Sequence, residues 1–464
     1  PHGFPFTTAV VLEWVGQSTP ARSQLPMAPT LQLRSCSEFS QMTLAWASFV
    51  TVTQDIQKPR AWLEKSTFTF QCWILNNLGT LYIDIASLVR TGEAFGHLES
   101  IENAAMLVED SKIAWVGKAA SAPASDEVVS LAGKSVIPGF VDSHSHLIFG
   151  GERSEEFAHR MAGQPYASGG IRTTVKATRE ASDKELRENA KRLVREFYSS
   201  GITHFEIKSG YGLDVETEAR SLKIASEFTD DVTYLGAHVV PEGVDRAEYL
   251  ELVTGEMLEA CKAHAKWVDV FCDRGAFDVD EARQILEAGM AAGLRPRMHA
   301  NQLENLGAIA LAVELDCASV DHCTHLSAED ISLLSGSNTV ATLVPGAEFS
   351  TRSTYPDARR LVAAGVTVAL ATDCNPGSSF TTSMPFCIAV AVREMGLTPD
   401  QALWAATRGG AKALRNDKGT LEVGAPADFA VLDAPNHIHL AYRPGVQLVE
   451  KTFVAGKQVF ERNK

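Results

Sequence analysis

The strongest constraint on the fold is an alternation of short apolar runs with helical patterns through the middle of the chain. In order, the runs read SVIPGFVDSHSH, GITHFEIKSG, DVTYLGAHVV, WVDVFCDRG, LRPRMHANQ, CASVDHCTH, TVATLVPG and VTVALATDCNPG. The segments between them, such as SDKELRENAKRLVREFYSS, are rich in Ala, Glu, Lys and Leu and have helical periodicity. Eight β–α units of this kind predict an α/β fold with a parallel (β/α)8 barrel. A doubly wound open sheet is the alternative, but no GxGxxG follows the first run.

The two ends of the chain carry strand patterns of another kind. The runs AMLVED and KIAWVG come before the barrel pattern, and DFAVLDA and LVEKTFVAGKQVFER come after it. We therefore predict a small β-sandwich domain built from residues 67–134 and 415–464, with the barrel formed by residues 135–414. Residues 1–66 mix Ser, Thr, Pro and Trp without steady periodicity, and we expect a disordered or artefactual extension there.

Charge and composition limit the partners. The formal net charge of −15 argues against nucleic acid or an anionic membrane as a partner and leaves a small-molecule substrate. No apolar run approaches the roughly 18–20 residues that span a bilayer, and the first residues lack a basic leader. The 8 cysteines show no CxxC spacing, which predicts reduced thiols in a cytoplasmic protein.

Polar residues able to carry chemistry end nearly every predicted barrel strand, where the functional residues of such barrels lie. From the first strand to the eighth they are His144 and His146, Lys208 followed by Tyr211, His238, Asp273, His299, His322 and Asp373. His144 and His146 are two residues apart and therefore point to the same side of their strand. Any one of these histidines could be a packing residue, and any one of the aspartates a helix N-cap. Nitrogen and carboxylate ligands that meet at one mouth are typical of a catalytic zinc or a related metal such as iron.

Four motifs carry a resemblance to a known family: HLIFGGER, EIKSGYGLD, GAHVVP and ATDCNPGSS. From about Cys72 to its end, the chain resembles the amidohydrolase superfamily and, within it, the imidazolonepropionase family. The resemblance implies a metal-dependent hydrolase of histidine degradation that cleaves the cyclic amide C–N bond of 4-imidazolone-5-propanoate, which gives N-formimidoyl-L-glutamate. It also implies a homodimer.

Carried over to this sequence, the family pattern implies the role of each site residue. One divalent metal per subunit, Zn²⁺ or Fe, would be held by His144, His146, His299 and Asp373. His322 and Asp373 would be catalytic, and the substrate would be bound by Arg153, Tyr211, His238, Gln302, Asn375, Gly377 and Ser378. Relatives with two metals bridge them with a lysine that ends strand 4, where this chain has Cys272 and Asp273, so we expect a single metal.

The segment after the strand 5 histidine departs from many relatives, which carry an acidic residue there. This chain reads HANQLEN, with Asn301 and Gln302. An amide cannot transfer a proton as a carboxylic acid does, although it can donate hydrogen bonds to a ring. We therefore expect Asp373 and His322 to carry the proton transfer.

Two other functions stay open on the residues alone. Another amidohydrolase, a cyclic amidase or a ring deaminase, would keep the metal ligands without needing Arg153 and the NPGSS loop. A catalytically inactive scaffold on the same fold would be expected to lack metal ligands, whereas this chain has the full set. Spacing also allows Arg153 to be a surface residue paired with Glu152, Glu155 or Glu156.

Overall fold

The computed structural model describes residues 79–163 and 170–463, so the expected extension of residues 1–66 lies outside the described residues. The strands are β1 (Thr80–Thr91), β2 (Leu98–Glu109), β3 (Lys112–Lys118), β4 (Glu127–Pro138), β5 (Phe140–Asp142), β6 (Ile202–Phe205), β7 (Ile207–Lys208), β8 (Val232–Ala237), β9 (Trp267–Cys272), β10 (Arg295–Pro296), β11 (Met298–Ala300), β12 (Ser319–His322), β13 (Val340–Leu343), β14 (Val368–Leu370), β15 (Phe429–Leu432), β16 (Val449–Val454) and β17 (Lys457–Glu461). The helices are α1 (Ser154–Met161), α2 (Ile171–Glu180), α3 (Asp183–Ser200), α4 (Val215–Ala225), α5 (Arg246–Thr254), α6 (Glu256–Cys261), α7 (Val279–Ala291), α8 (Ala308–Glu314), α9 (Ala328–Ser335), α10 (Pro345–Thr351), α11 (Ala358–Ala363), α12 (Met384–Glu394), α13 (Pro399–Trp404), α14 (Gly410–Ala413) and α15 (His439–Tyr442). Short 3₁₀ turns cover Ala119–Ser121 and Lys262–His264, and a π-helical turn covers Ala405–Gly409.

The strands from β5 to β14 form the predicted parallel barrel. β5 pairs with β6, and a continuous path of parallel pairs then runs from β7 through β8, β9, β11, β12 and β13 to β14. Two barrel strands are each interrupted at one residue, Glu206 between β6 and β7 and Arg297 between β10 and β11. Both of these residues are fully buried.

The barrel closes between its first and last strands. Ser145 pairs in parallel with Asp373, and the Asp373 amide donates to the His144 carbonyl at 3.0 Å. The buried carboxylate of Asp142 accepts the Thr372 amide at 3.1 Å and the Thr372 hydroxyl at 2.5 Å. Side-chain and backbone hydrogen bonds thus fasten the same junction, and the barrel predicted from the sequence is confirmed.

The helices around the barrel are defined by local signals in the sequence. Helix α3 begins with a capping box between Ser182 and Glu185 and ends at Gly201, whose φ of +93° favours glycine. Its buried face carries Leu186, Leu193 and other apolar residues at helical spacing, and these pack into the main core with the barrel strands. No helix in the part of the chain that the structure describes is long and apolar enough to cross a membrane.

Strands from both terminal regions form one mixed sheet of seven strands, in the order β17-β16-β15-β4-β1-β2-β3. β1 and β4 are parallel, whereas the other neighbours are antiparallel. The Ile113 amide at β3 donates to the Ala425 carbonyl, just before β15, at 2.9 Å. This contact between distant strands of the sheet order indicates that the sheet curls. The two layers expected of a sandwich therefore come from one curled sheet, since the long parallel pair β1–β4 joins them.

The domain limits given above stay a prediction. β4 runs on to Pro138 within this sheet. The described cysteines, which are Cys261, Cys272, Cys317, Cys323, Cys374 and Cys387, are all free and buried, as expected for reduced thiols. Cys36 and Cys72 lie outside the described residues.

The curled sheet holds an aromatic cluster that joins the two ends of the described chain. Phe429 stacks on Phe453 with ring centroids 4.3 Å apart, and Tyr82 meets Phe429 edge-on at 5.3 Å. We expect Phe429→Ala to lower the free energy of unfolding by about 3–5 kcal/mol, because it removes a fully buried ring from both contacts. Urea unfolding measures the loss, with Val459→Ala, on the exposed strand β17, as a control that changes it by no more than about 0.5 kcal/mol. Equal effects of the two variants would contradict this account of the sheet.

Candidate active site

The ends of the barrel strands bring five histidines and one aspartate together. His144 and His299 have ring centroids 4.5 Å apart, and His322 lies 5.4 Å from His299. His146 is 5.3 Å from His144 and stacks on His238 at 5.5 Å. With Asp373 these side chains form a cluster buried at the mouth, as the sequence predicts.

The cluster presents ligand atoms that lack hydrogen-bond partners. His144 Nε2, His146 Nε2 and Asp373 Oδ1 are all buried and unpartnered, and Asp373 Oδ1 is 3.4 Å and 3.5 Å from the two nitrogens. The ligand atoms of His144, His146 and Asp373 lie within 4.8 Å of one another, as do those of His144, His299 and His322. Buried polar atoms without partners are costly, whereas a divalent metal would satisfy several at once. The donor set therefore fits a metal centre of nitrogen and carboxylate ligands.

Burial keeps most of these imidazoles neutral, which is the form that binds a metal. It lowers the pKa of His146 well below the usual range, that of His238 to about 4 and that of His322 to about 3. His144 is the exception: burial and the charge of Lys208 lower its pKa, but the carboxylates of Asp321 and Asp373 outweigh both and raise it to about 9.

A layer of buried charges lies against the histidines. Asp321 Oδ2 is 2.7 Å from His144 Nδ1, and Asp269 Oδ2 is 3.0 Å from His299 Nδ1. Such carboxylate partners fix the orientation of a ligating imidazole and raise its basicity. Neither aspartate was predicted from the sequence, although each is a charged residue inside an apolar strand, in WVDVFC and SVDH.

Lys208 belongs to the same layer. Its Nζ is 2.8 Å from Asp269 and 3.0 Å from Glu206, and Arg297 pairs with Asp321 at 3.2 Å. The lysine thus neutralises carboxylates that hold the histidines. We expect Lys208 to support the centre through these ion pairs.

The residues expected to bind substrate form a second group beside the cluster. The Tyr211 hydroxyl donates to Asn375 Oδ1 at 2.8 Å, and Asn375 Oδ1 also accepts the Gly377 amide at 2.8 Å. Ser378 donates to Asp373 Oδ2 at 2.7 Å, which ties the group to the cluster. His238 Nδ1 donates to the Gly210 carbonyl at 2.9 Å, so the neutral ring carries its lone pair on Nε2.

Arg153 pairs with a nearby glutamate and also lies at the candidate site, so it has features of both alternatives that the sequence left open. Its guanidinium pairs with Glu156 through Nε at 2.8 Å and Nη2 at 2.7 Å. The arginine is nevertheless 8% exposed and lies against Gly377, where an added Cβ would meet its Nη1 at 2.0 Å. Arg160 reinforces the contact, because it pairs with the same glutamate and donates to the Gly377 carbonyl at 3.0 Å.

Two carboxylates hold the loops that carry Tyr211 and Gln302. Glu218 accepts the backbone amides of Gly210, Gly212 and Leu213 at 2.6–3.0 Å. Asp273 accepts the amide of Gln302 at 2.7 Å and those of its two successors at 2.9 Å and 3.1 Å. Asp273, which follows β9 directly, therefore holds a loop in place. Glu218 was not predicted as a site residue, because it lies in an ordinary helical pattern. Gln302 itself is half-buried.

Strained backbone is concentrated at this mouth. His322, Asp373 and Asn301 adopt φ values of +81°, +67° and +56°, in the left-handed region that costs a non-glycine residue about 1–3 kcal/mol. Residues held in this way are common at functional sites, where the surrounding structure fixes them. The strand ends are thus set by the fold around them.

The cluster predicts a measurable metal affinity. We expect His299→Asn to weaken metal binding by at least about 100-fold, because loss of a ligand costs at least as much as loss of its supporting partner. Elemental analysis and competition with a coloured chelator measure the change. His437→Asn is the matched control, since His437 pairs with Asp400 at 2.7 Å outside the cluster. Unchanged metal binding in His299→Asn would contradict the assignment.

Sequence comparisons show that the chain is similar to known hydrolases of one family. The amidohydrolase family profile matches residues 135–459. The imidazolonepropionase of Streptomyces griseus is 59% identical over 386 residues, which cover 82% of this chain and 99% of the relative. The imidazolonepropionase of Mycolicibacterium smegmatis is 61% identical over 388 residues, which cover 82% of this chain and 98% of the relative.

Solved structures share the fold at low sequence identity. An adenosine deaminase from Xanthomonas campestris with bound zinc has a TM-score of 0.63 at 18% identity, covering 82% of this chain and 92% of that one. An atrazine chlorohydrolase variant from Arthrobacter aurescens, complexed with zinc and atraton, has a TM-score of 0.64 at 17% identity, covering 82% and 95%. The barrel, the site and the close relatives agree: the chain belongs to the amidohydrolase family and, within it, to the imidazolonepropionases.

Proposed function

We propose that the protein is a metal-dependent hydrolase that opens the ring of 4-imidazolone-5-propanoate to give N-formimidoyl-L-glutamate, a step of histidine degradation. The observation that carries the proposal is the buried cluster of unpartnered ligand atoms beside an arginine and a Tyr211–Asn375 pair. Identity of 59–61% with curated imidazolonepropionases, over nearly their whole length, supports the substrate. The homodimer and the cytoplasmic location stay predictions.

His144, His146, His299 and Asp373 are the proposed ligands of one divalent metal. A bound metal of this kind supplies Lewis acidity and lowers the pKa of water toward neutrality. Zinc in two structures of the same fold supports zinc here, with iron as the alternative. Elemental analysis of the purified protein distinguishes the two metals.

Asp373 and His322 are the proposed catalytic residues. Asp373 directs Oδ1 toward the histidines, while Oδ2 accepts the Ser378 hydroxyl at 2.7 Å, so the carboxylate has a fixed orientation. In that orientation it can hold the proton removed from the attacking water. Neutral His322 can orient that water and stabilise charge on the carbonyl oxygen.

The remaining residues fit the two ends of the substrate. Arg153 offers a planar fork for the propanoate carboxylate, and its pairing with Glu156 holds the guanidinium against Gly377. Tyr211, His238, Asn375, Gly377 and Ser378 are proposed to bind the ring. Tyr211 and His238 support this because their rings lie 5.8 Å and 5.5 Å from that of His146, and Ser378 because it donates to Asp373. Gln302 is proposed to hydrogen-bond the ring.

The activity is tested by the ultraviolet decay of freshly prepared 4-imidazolone-5-propanoate, which also decomposes spontaneously. We expect metal-loaded wild type to accelerate the decay and to yield formimidoylglutamate. Chelator-treated protein should return to the spontaneous rate, and Asp373→Asn should lose at least about 100-fold in kcat. A metal-loaded protein that leaves the spontaneous rate unchanged would refute the substrate, and other cyclic amides and ring amidines would then be assayed.

The contact between Arg153 and Gly377 is tested separately. We expect Gly377→Ala to raise KM by about 10- to 100-fold with a smaller change in kcat. The new methyl would displace the guanidinium of Arg153, which is proposed to make a charged hydrogen bond to the propanoate carboxylate. Steady-state kinetics on the same substrate measure both constants. Gly336→Ala is the control, since a Cβ there meets nothing closer than 3.8 Å. Equal KM values in the two variants would count against Arg153 as the carboxylate-binding residue.

A further inference from the structure

Glu348 is a buried carboxyl at the barrel mouth to which the reaction described above gives no role. It lies on α10, which begins two residues after β13 ends, and its residue surface is 2% exposed. Its Oε1 accepts the Thr324 hydroxyl at 2.7 Å. Since Thr324 follows His322 by two residues, the carboxyl lies beside the loop that comes directly after a proposed catalytic histidine.

Helix α10 also packs on the loop after the last barrel strand. An added Cβ at Gly346 would meet Ser379 Oγ at 2.3 Å, so the start of the helix touches the residue next to Ser378. Arg160 joins the two segments as well, with hydrogen bonds to the Ser350 carbonyl at 3.1 Å and the Gly377 carbonyl at 3.0 Å. Glu348 therefore lies between the loops that follow β12 and β14.

Among the buried carboxyl groups described at this mouth, Glu348 differs in its hydrogen bonding. Asp273 and Glu218 are saturated by backbone amides, and Asp373 Oδ2 accepts from Ser378. Glu348 Oε2 is buried and has no hydrogen-bond partner in the described part of the chain, a property that it shares only with Asp373 Oδ1. A buried carboxyl oxygen that is left unpaired is costly unless a ligand completes it.

We propose that Glu348 is a further catalytic residue, whose Oε2–H contacts the ring of the bound substrate and donates a proton to the departing nitrogen. The proposal rests on the proposed function. The oxygen of water bonds to the ring carbonyl carbon, and the C–N bond breaks with its electron pair on nitrogen. That nitrogen takes the proton of Glu348. Asp373 takes a proton from the attacking water, and its release after turnover balances the proton that restores Glu348. No further reactant is needed.

Electrostatics support this role. Burial and, to a smaller extent, the charge of Asp373 raise the pKa of Glu348 to about 7, against the hydrogen bonds from Thr324 and from its own backbone amide. Cys323 and Tyr355 also interact with Glu348, and both are neutral at this pH because burial raises the pKa of the thiol and of the phenol. A carboxyl with this pKa is partly protonated at neutral pH, as a donor must be. Gln302, which stands where many relatives carry an acid, cannot supply the proton.

The test replaces the acid and keeps its shape. We expect Glu348→Gln to lose about 10²- to 10⁴-fold in kcat, while its thermal midpoint and metal content match the wild type. The wild-type kcat should fall as the pH rises through about 7, because the donor loses its proton, and this limb should be absent from the residual activity of the variant. Adding Gln302→Glu to Glu348→Gln should recover at least about tenfold. The exposed Glu329→Gln on α9 is the control and should match the wild type.

The outcomes separate the two proposals. Active wild type with a Glu348→Gln variant within about twofold of its kcat would overturn the role of Glu348 alone. Inactive wild type would overturn the proposed function and this role with it. If Glu348→Gln folds poorly or loses metal, Glu348→Asp decides, since it keeps the acid. A folded Glu348→Asp with kcat no higher than that of Glu348→Gln would overturn the proposal.

Discussion

The site depends on a layer of charge buried inside the barrel. Two cations, Lys208 and Arg297, lie among three anions, Glu206, Asp269 and Asp321, and all five side chains are excluded from solvent. Charges in such a place are tolerated only when each is paired. Because two of the anions also hold His144 and His299, the same layer orients two of the proposed metal ligands.

Above this layer, the residues expected to bind the substrate lie on loops, and buried carboxylates hold several of these loops in place. Glu218 and Asp273 each take up several backbone amides, and each thereby fixes a loop that is close to the cluster. Loops of a barrel vary without disturbing its strands, so such anchors give a precise site without rigidity throughout. The loop after the last strand is held differently, since Asn375 and Ser379 exchange two backbone hydrogen bonds.

The sequence was most informative where a residue has to sit at the end of a strand. The repeated β–α pattern predicted the barrel, and HxH with the later histidines and Asp373 predicted the cluster, because strand ends of a parallel barrel must converge. The sequence could not identify Asp269, Asp321 and Glu218 in the same way. Their roles depend on contacts that only the folded chain brings together. The curl of the terminal sheet depends on the parallel pairing of β1 with β4. The local pattern of residues predicts strands but not which strands pair.

The junction between the first and last barrel strands has a consequence for biosynthesis. His144 and His146 lie on one side of that junction and Asp373 on the other, so the complete set of proposed ligands needs both strands in place. A nascent chain leaves the ribosome from its N-terminus, and the pair Ser145–Asp373 closes only after the whole barrel has emerged. During translation the early histidines remain without their carboxylate partner. Tight binding of the proposed metal would thereby be postponed to the final stage of folding, when the ion would meet the finished barrel rather than partly folded chains.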